Sequence, residues 1–247
     1  NNPVGNTEEY NGTSWSEQND LNTARLGMGG AGTQTAGLAF AGRLAAPPTT
    51  YKDETEEYDG TSWTEQNDIN TGRINLGGCG TQTAALGFGG DVSGVSDLSE
   101  EYNGTSWSEG NDLNTARESI CGAGTQTAAV GFAGYVGGAS ALTEEYDGTS
   151  WTNGNNMGTA RYSLAGSGLQ TAALAFGGNP GGLSNTEQYD GTNWTTTSGL
   201  ATGRRGLGSG NSSPSTASLA FGGNDGSATN VTEEYTFAVS LKTISDS

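Results

Sequence analysis

The sequence predicts an all-β fold, a five-bladed β-propeller of four-stranded antiparallel blades. Three observations carry the prediction. Tryptophan occurs only at Trp15, Trp63, Trp107, Trp151 and Trp194, each five residues after a tyrosine (Tyr10, Tyr58, Tyr102, Tyr146, Tyr189). Five further segments run from an arginine (Arg25, Arg73, Arg117, Arg161, Arg204) to a phenylalanine followed by Gly-Gly or Ala-Gly. Between these markers, glycine interrupts every apolar run, so no helical period survives ten residues. One aromatic set every 43 to 48 residues is the period of a propeller blade.

Each period reads as two hairpins. The stretch from Glu56 to Glu65 is an outer hairpin, because Asp59-Gly60 supplies the positive φ angles of a tight primed turn. The stretch from Arg161 to Gly178 is an inner hairpin turning near Leu169-Gln170, and its Gly and Ala suit strands crowded around a narrow axis. The repeats fall at about 7–54, 55–98, 99–142, 143–185 and 186–231, within one domain, with a C-terminal strand or connector at 232–247. A sixth outer unit, Thr232-Glu233-Glu234-Tyr235, follows the last inner hairpin, although the chain already opens with an outer hairpin from Thr7 to Ser16. A ring hides its strand edges by pairing its N- and C-terminal segments. The N-terminal hairpin is therefore expected beside the last inner hairpin, Arg204 to Gly223. The surplus segment either leaves the ring or displaces part of that hairpin.

Period, Gly-Gly and the following Tyr and Trp together resemble the kelch motif, from about Thr7 to Tyr235. The resemblance implies Gly-Gly at the end of the second strand, Tyr on the third and Trp on the fourth. The Tyr-to-Trp interval is slightly tight for that pattern, and the units are unusually alike. In that uniformity the chain is similar to repeat proteins of marine bacteriophages and bacteria, which implies a tail-fibre-like or surface protein.

Charge and composition exclude several functions. Nine Lys and Arg against 27 Asp and Glu give a net charge of −18, which disfavours nucleic acid and anionic lipid as partners. No stretch approaches the roughly 18 apolar residues of a membrane span, so membrane insertion is not expected. The chain has no histidine, which removes the commonest general base and transition-metal ligand. The copper site known from a kelch-type propeller oxidase needs histidine, and no enzyme is expected. The opening Asn1-Asn2-Pro3 suggests a processed product or part of a longer polypeptide.

Positions identical in every unit belong to the blade, and positions that differ are free to specialise. Each Tyr/Trp pair is expected as core between blades, where a cross-strand pair adds roughly 0.2–1 kcal/mol; five exposed sugar-stacking platforms are the alternative. The Glu-Glu ladder (Glu8-Glu9, Glu56-Glu57, Glu100-Glu101, Glu144-Glu145, Glu233-Glu234, with Glu187-Gln188 as the variant) sends one carboxylate to each face, one of them toward the frame arginine. The Thr-Gln-Thr turns at 33–35, 81–83 and 125–127 weaken at 169–171 and are replaced at 212–216. They are expected on the Asp-Gly face as turn chemistry, a shallow sugar or ice-like site being the alternative.

The loops after each Gly-Gly diverge most, and the first, Arg43 to Glu54, is the longest. Divergent loops on a rigid scaffold are where binding resides, so Arg43, Tyr51, Lys52, Asp91 and Tyr135 are the candidate ligand contacts. The turns Asn19-Asp20, Asn67-Asp68, Asn111-Asp112 and Asn155-Asn156 are expected on the same face as capping residues. Their oxygen-only chemistry suits weak calcium binding as an alternative, without a D-x-D-x-D-G loop. Cys79 and Cys121, on adjacent inner strands two positions out of register, are expected as buried free thiols, a disulfide being the alternative. The function expected is extracellular or virion-surface recognition of a carbohydrate or protein receptor. The alternative is a structural or decoration protein of a larger assembly.

Overall fold

The computed structural model describes residues 3–44, 50–210 and 217–236. Within them every regular element is a strand, and the fold is the expected five-bladed β-propeller. An N-terminal hairpin of β1 (Thr7–Tyr10) and β2 (Trp15–Gln18) comes first. Blade 1 is β3 (Gly29–Thr33), β4 (Ala36–Phe40), β5 (Thr55–Tyr58) and β6 (Trp63–Glu65). Blade 2 is β7 (Gly77–Thr81), β8 (Ala84–Phe88), β9 (Ser99–Tyr102) and β10 (Trp107–Glu109). Blade 3 is β11 (Cys121–Thr125), β12 (Ala128–Phe132), β13 (Thr143–Tyr146) and β14 (Trp151–Asn153). Blade 4 is β15 (Ala165–Leu169), β16 (Ala172–Phe176), β17 (Thr186–Tyr189) and β18 (Trp194–Thr197). Blade 5 has three described strands, β19 (Gly208–Ser209), β20 (Ala217–Phe221) and β21 (Thr232–Thr236).

Each sheet joins an inner hairpin to the outer hairpin that follows it, in simple meander order. The first strands line the axis and pack in series, β3 on β7, β7 on β11, β11 on β15 and β15 on β19. Glycine makes this approach feasible: a Cβ on Gly122 would lie 2.4 Å from the Phe88 ring of the preceding blade, and on Gly166 2.5 Å from Phe132.

A buried arginine holds each blade together. The guanidinium of Arg117 reaches Glu144 at 2.8 Å and the main-chain oxygens of Ala133 and Leu142 at 3.0 and 2.9 Å. It thereby ties the start of the inner hairpin to the third strand and to the intervening loop. The pairs Arg25–Glu56, Arg73–Glu100, Arg161–Glu187 and Arg204–Glu233 repeat it. All five arginine side chains are fully buried. The same glutamates accept main-chain N–H groups from the preceding Asn-Asp segment, as Glu56 does from Asn22 at 2.7 Å and Glu144 from Asn114 at 2.7 Å.

The other glutamate of each pair joins neighbouring blades. Glu9, Glu57, Glu101 and Glu145 accept from the hydroxyls of Tyr58, Tyr102, Tyr146 and Tyr189 at 2.7–3.0 Å. Desolvation and then the carboxylate raise each tyrosine pKa, Tyr58 to about 12. The variant Gln188 has a counterpart: Tyr235 bonds the Thr197 hydroxyl at 3.0 Å instead. Tryptophan adds a second link. Trp107 packs on Phe40, Trp151 on Phe88 and Trp194 on Phe132, with ring centroids 4.8–5.0 Å apart. Their indole N–H groups donate to Thr55, Ser99 and Thr143 of the preceding blade, each at 2.9 Å. The Tyr/Trp pairs are thus interblade core.

The turns also staple blades. Gln82, Gln126 and Gln170 each donate to two main-chain oxygens of the blade before, such as Gly37 and Tyr58 for Gln82. Gly60, Gly104, Gly148 and Gly191 lie against the Thr of these turns in their own blades, which puts both turn sets on one face. The Asn-Asp turns cap as expected, Asp112 accepting from the N–H of Ser99 at 3.0 Å, and their asparagines also join blades. Asn19, Asn67 and Asn111 donate to Thr61, Thr105 and Thr149 in the Asp-Gly turn of the next blade, at 2.7–2.8 Å.

Ring closure departs from the simplest expectation. The N-terminal hairpin does meet blade 5: Trp15 packs on Phe221 at 4.8 Å and donates to Thr232 at 2.9 Å, and Tyr10 donates to Glu234 at 2.8 Å. These are side-chain contacts of the kind that join successive blades. Strand β21 takes the third place of blade 5, so the hairpin β1–β2 stands next to that blade as a two-stranded piece. The two pieces are separate sheets, and among the described residues no strand pairs with the outer edge of β21. Residues 45–49 of the first loop, the 212–216 turn and residues 237–247 of the C-terminal segment lie outside the described residues.

The Asp-Gly turns predict an acid dependence. Asp59, Asp147 and Asp190 accept two main-chain N–H bonds each, and these hold their carboxyls below the usual carboxylate range. A depressed native pKa gives stability that is present above the unfolded value, about 4, and lost as pH falls through the native one. Asn11 and Asn103 make the same bonds without ionising. The triple variant Asp59→Asn, Asp147→Asn, Asp190→Asn should therefore lose less stability between pH 6 and pH 3 than the parent, measured by urea unfolding.

Candidate functional site

The residue pair after each inner-hairpin phenylalanine turns the chain into the divergent loops. Both positions are left-handed, as at Ala133 (φ 60°) and Gly134 (φ 110°), and the second suits only glycine. Each loop then forms one antiparallel bridge back to the residue after the frame arginine. Arg43 faces Leu26, Asp91 faces Ile74, Tyr135 faces Glu118, Asn179 faces Tyr162 and Asn224 faces Arg205. Five corresponding positions on one face therefore carry four residue types, on a scaffold whose frame is constant.

The structure brings most of the predicted contacts together. Tyr51 bridges Arg43 along the backbone, and its hydroxyl donates to the Asp91 carboxylate of the next blade at 3.3 Å. Asp91 also caps its own loop, accepting from the N–H groups of Ser93 and Gly94 at 2.8 and 2.7 Å. Lys52 is ion-paired with Glu54, and its main-chain N–H donates to Gly42 at 2.8 Å. Tyr135 lies apart from this group, edge-on to Tyr162 with centroids 5.2 Å apart. All five predicted residues are half-buried, so the patch is shallow, with both hydrogen-bonding groups and aromatic faces in reach of solvent.

Sequence reasoning missed Tyr162 and Glu118. Their signal was the position after each frame arginine, which reads Leu, Ile, Glu, Tyr, Arg in Leu26, Ile74, Glu118, Tyr162 and Arg205. Beneath that position a backbone chain runs round the axis. Asn75 N–H donates to Gly27, Ser119 to Asn75, Ser163 to Ser119 and Gly206 to Ser163, at 2.7–3.1 Å. All five residues have φ between 49° and 68°. Among the described residues no group of three or more Cys, Asp or Glu side chains converges as a metal site, and the Asn-Asp turns are engaged in the interblade bonds above.

A second concavity was not foreseen. A cleft of about 790 Å³ lies between the N-terminal hairpin, blade 1 and blade 5. Tyr10, Trp15, Leu38, Trp63, Leu219 and Tyr235 are among its walls. The surplus outer unit at Thr232 to Tyr235 was the available signal: it gives six outer units to five inner hairpins.

The fold and its internal symmetry define a repeat-built β-propeller. No protein-family model matches the chain, and none of the curated proteins matches it.

Cys79 and Cys121 are free, and burial pushes both thiols up to about 12. The thiolate is the reactive form. Neither cysteine should react with Ellman's reagent at pH 8 in the native protein, and both should react in 6 M guanidinium.

Proposed function

We propose that this propeller is a non-enzymatic recognition module that binds a carbohydrate or protein receptor through its loop face. The observation that carries the reading is the junction of blades 1 and 2, where Arg43, Tyr51 and Asp91 converge beside Lys52. The aromatic pair Tyr135–Tyr162 adds a ring edge and face on the same side. Aromatic surface with a few convergent polar groups is the usual make-up of a binding site, and loops on a rigid frame are its usual place. We further propose kinship with kelch-type repeats and a place on the outside of a cell or a virion, as in a tail-fibre-like protein. The Phe-Gly-Gly, Tyr and Trp order and the uniformity of the units support that kinship.

A decoration role has one observation of its own. The outer edge of β21 carries no fourth strand among the described residues, and an open edge is a pairing site for another chain.

Glycan-array binding tests the recognition reading. A specific glycan signal should fall roughly tenfold or more in Tyr51→Ala and in Tyr135→Ala, with the thermal midpoint little changed. A signal indifferent to both substitutions removes the loop face from the account.

A further inference from the structure

We propose that the cleft between the N-terminal hairpin and blades 1 and 5 is the seat of a sixth inner hairpin of this same repeat. The occupant is an Arg-led, Gly/Ala-rich β-hairpin of the form seen from Arg161 to Gly178, from outside these 247 residues. This inference does not rest on the recognition reading.

The walls of the cleft carry the groups that elsewhere engage such a hairpin, and among the described residues each lacks that counterpart. Glu8 is the first case. Its equivalents Glu56, Glu100, Glu144 and Glu187 are buried against a frame arginine and accept a main-chain N–H group. Glu8 is exposed, lines the cleft and has no ion pair among the described residues. Trp63 is the second. Trp107, Trp151, Trp194 and Trp15 each pack on the phenylalanine of the preceding unit. Trp63 keeps its bond to Thr7 at 2.9 Å and its tyrosine, Tyr58, but among the described residues it meets no phenylalanine ring. Gln34 is the third. Gln82, Gln126 and Gln170 each span a third-strand oxygen and a second-strand oxygen of the preceding blade. Gln34 finds the third-strand oxygen, that of Tyr10, at 3.2 Å, and takes the Glu9 carboxylate at 3.3 Å in place of the other.

Backbone geometry agrees. The arc of Gly27, Asn75, Ser119, Ser163 and Gly206 is held by four main-chain bonds, and among the described residues none joins Gly206 to Gly27. The exit path is also in place: Leu21 N–H donates to Gly5 at 2.9 Å as Met157 does to Ala141, and Val4 bridges Arg25 as Ser140 bridges Arg161. A seat that offers a carboxylate, an aromatic face and an amide staple in repeat register fits one ligand chemistry, the repeat's own inner hairpin.

The test uses the 247-residue chain and a synthetic peptide of residues 161–178, which contains no cysteine. The peptide should bind saturably at one per chain and quench or shift the fluorescence of Trp63, with no such response in Trp63→Phe. Affinity should fall roughly tenfold or more with Glu8→Gln in the protein or with Arg161→Ala in the peptide. A scrambled peptide should not bind. Absence of saturable binding, or binding indifferent to both changes, overturns the proposal, as does a self-associated chain that the peptide cannot dissociate. Because a free hairpin is prone to aggregate, the same 18 residues fused ahead of Asn1 give a second reading. Their amides should be protected from hydrogen exchange as those of residues 117–134 are; exchange at free-peptide rates on a folded propeller also overturns it.

Discussion

The buried arginine–glutamate pair is the constraint on which the rest of this propeller depends. Inner strands of Gly and Ala bury little apolar surface, so they need another anchor to hold their distance from the outer hairpin. The guanidinium provides it by reaching a carboxylate on the third strand and carbonyl oxygens in the loop at once. Burial pulls the pKa of Arg25, Arg117 and Arg161 down while the paired glutamate pulls it back up. Two desolvated charges add little net stability when paired, yet either is costly when left alone. The pair therefore specifies register more than it adds strength, and it fixes where every loop begins.

Given that anchor, the interfaces follow. A constant third strand presents one glutamate inward to the arginine and the next toward the following tyrosine, so each blade binds its neighbour with the residue beside the one that binds itself. Trp, Gln and Asn then add links at the rim and at both turn sets. Three such interfaces carry the full set, between blades 1 and 2, 2 and 3, and 3 and 4; blade 5 meets blade 4 through Tyr235 and Thr197, and the N-terminal hairpin meets blade 5 through Tyr10 and Trp15. Where the N-terminal hairpin meets blade 1, Glu8, Trp63 and Gln34 make fewer of these links among the described residues than their equivalents in the other blades.

Much of this was legible in the residues. The Trp and Arg spacing gives the blades, their strand order and the number of inner hairpins, and strand alternation assigns the two glutamates to opposite faces. The Tyr/Trp core and the free thiols were likewise readable from residue type and spacing. Other features were not. The role of Gln in the Thr-Gln-Thr turn depends on the distance between blades, which no single repeat encodes. The Asn-Asp turns read as loop-side caps, which Asp112 is for Ser99, but the reach of their asparagines to the next blade's turn depends on interblade distance. Closure was left open because β21 and β1 have the same Thr-Glu-Glu-Tyr sequence and compete for one place beside β20. Of the candidate ligand contacts, Arg43, Tyr51, Lys52 and Asp91 fall together, whereas Tyr135 pairs with a residue from another blade that periodicity did not single out.

A double-mutant cycle on Arg117 and Glu144 in the middle blade tests the central claim most directly. Removing either charge, by Arg117→Ala or Glu144→Ala, should lower the unfolding free energy by about 3–5 kcal/mol. The double variant should cost clearly less than the sum of the two. Single losses below about 1 kcal/mol, the scale of an exposed ion pair, with simple additivity in the double variant, would contradict it.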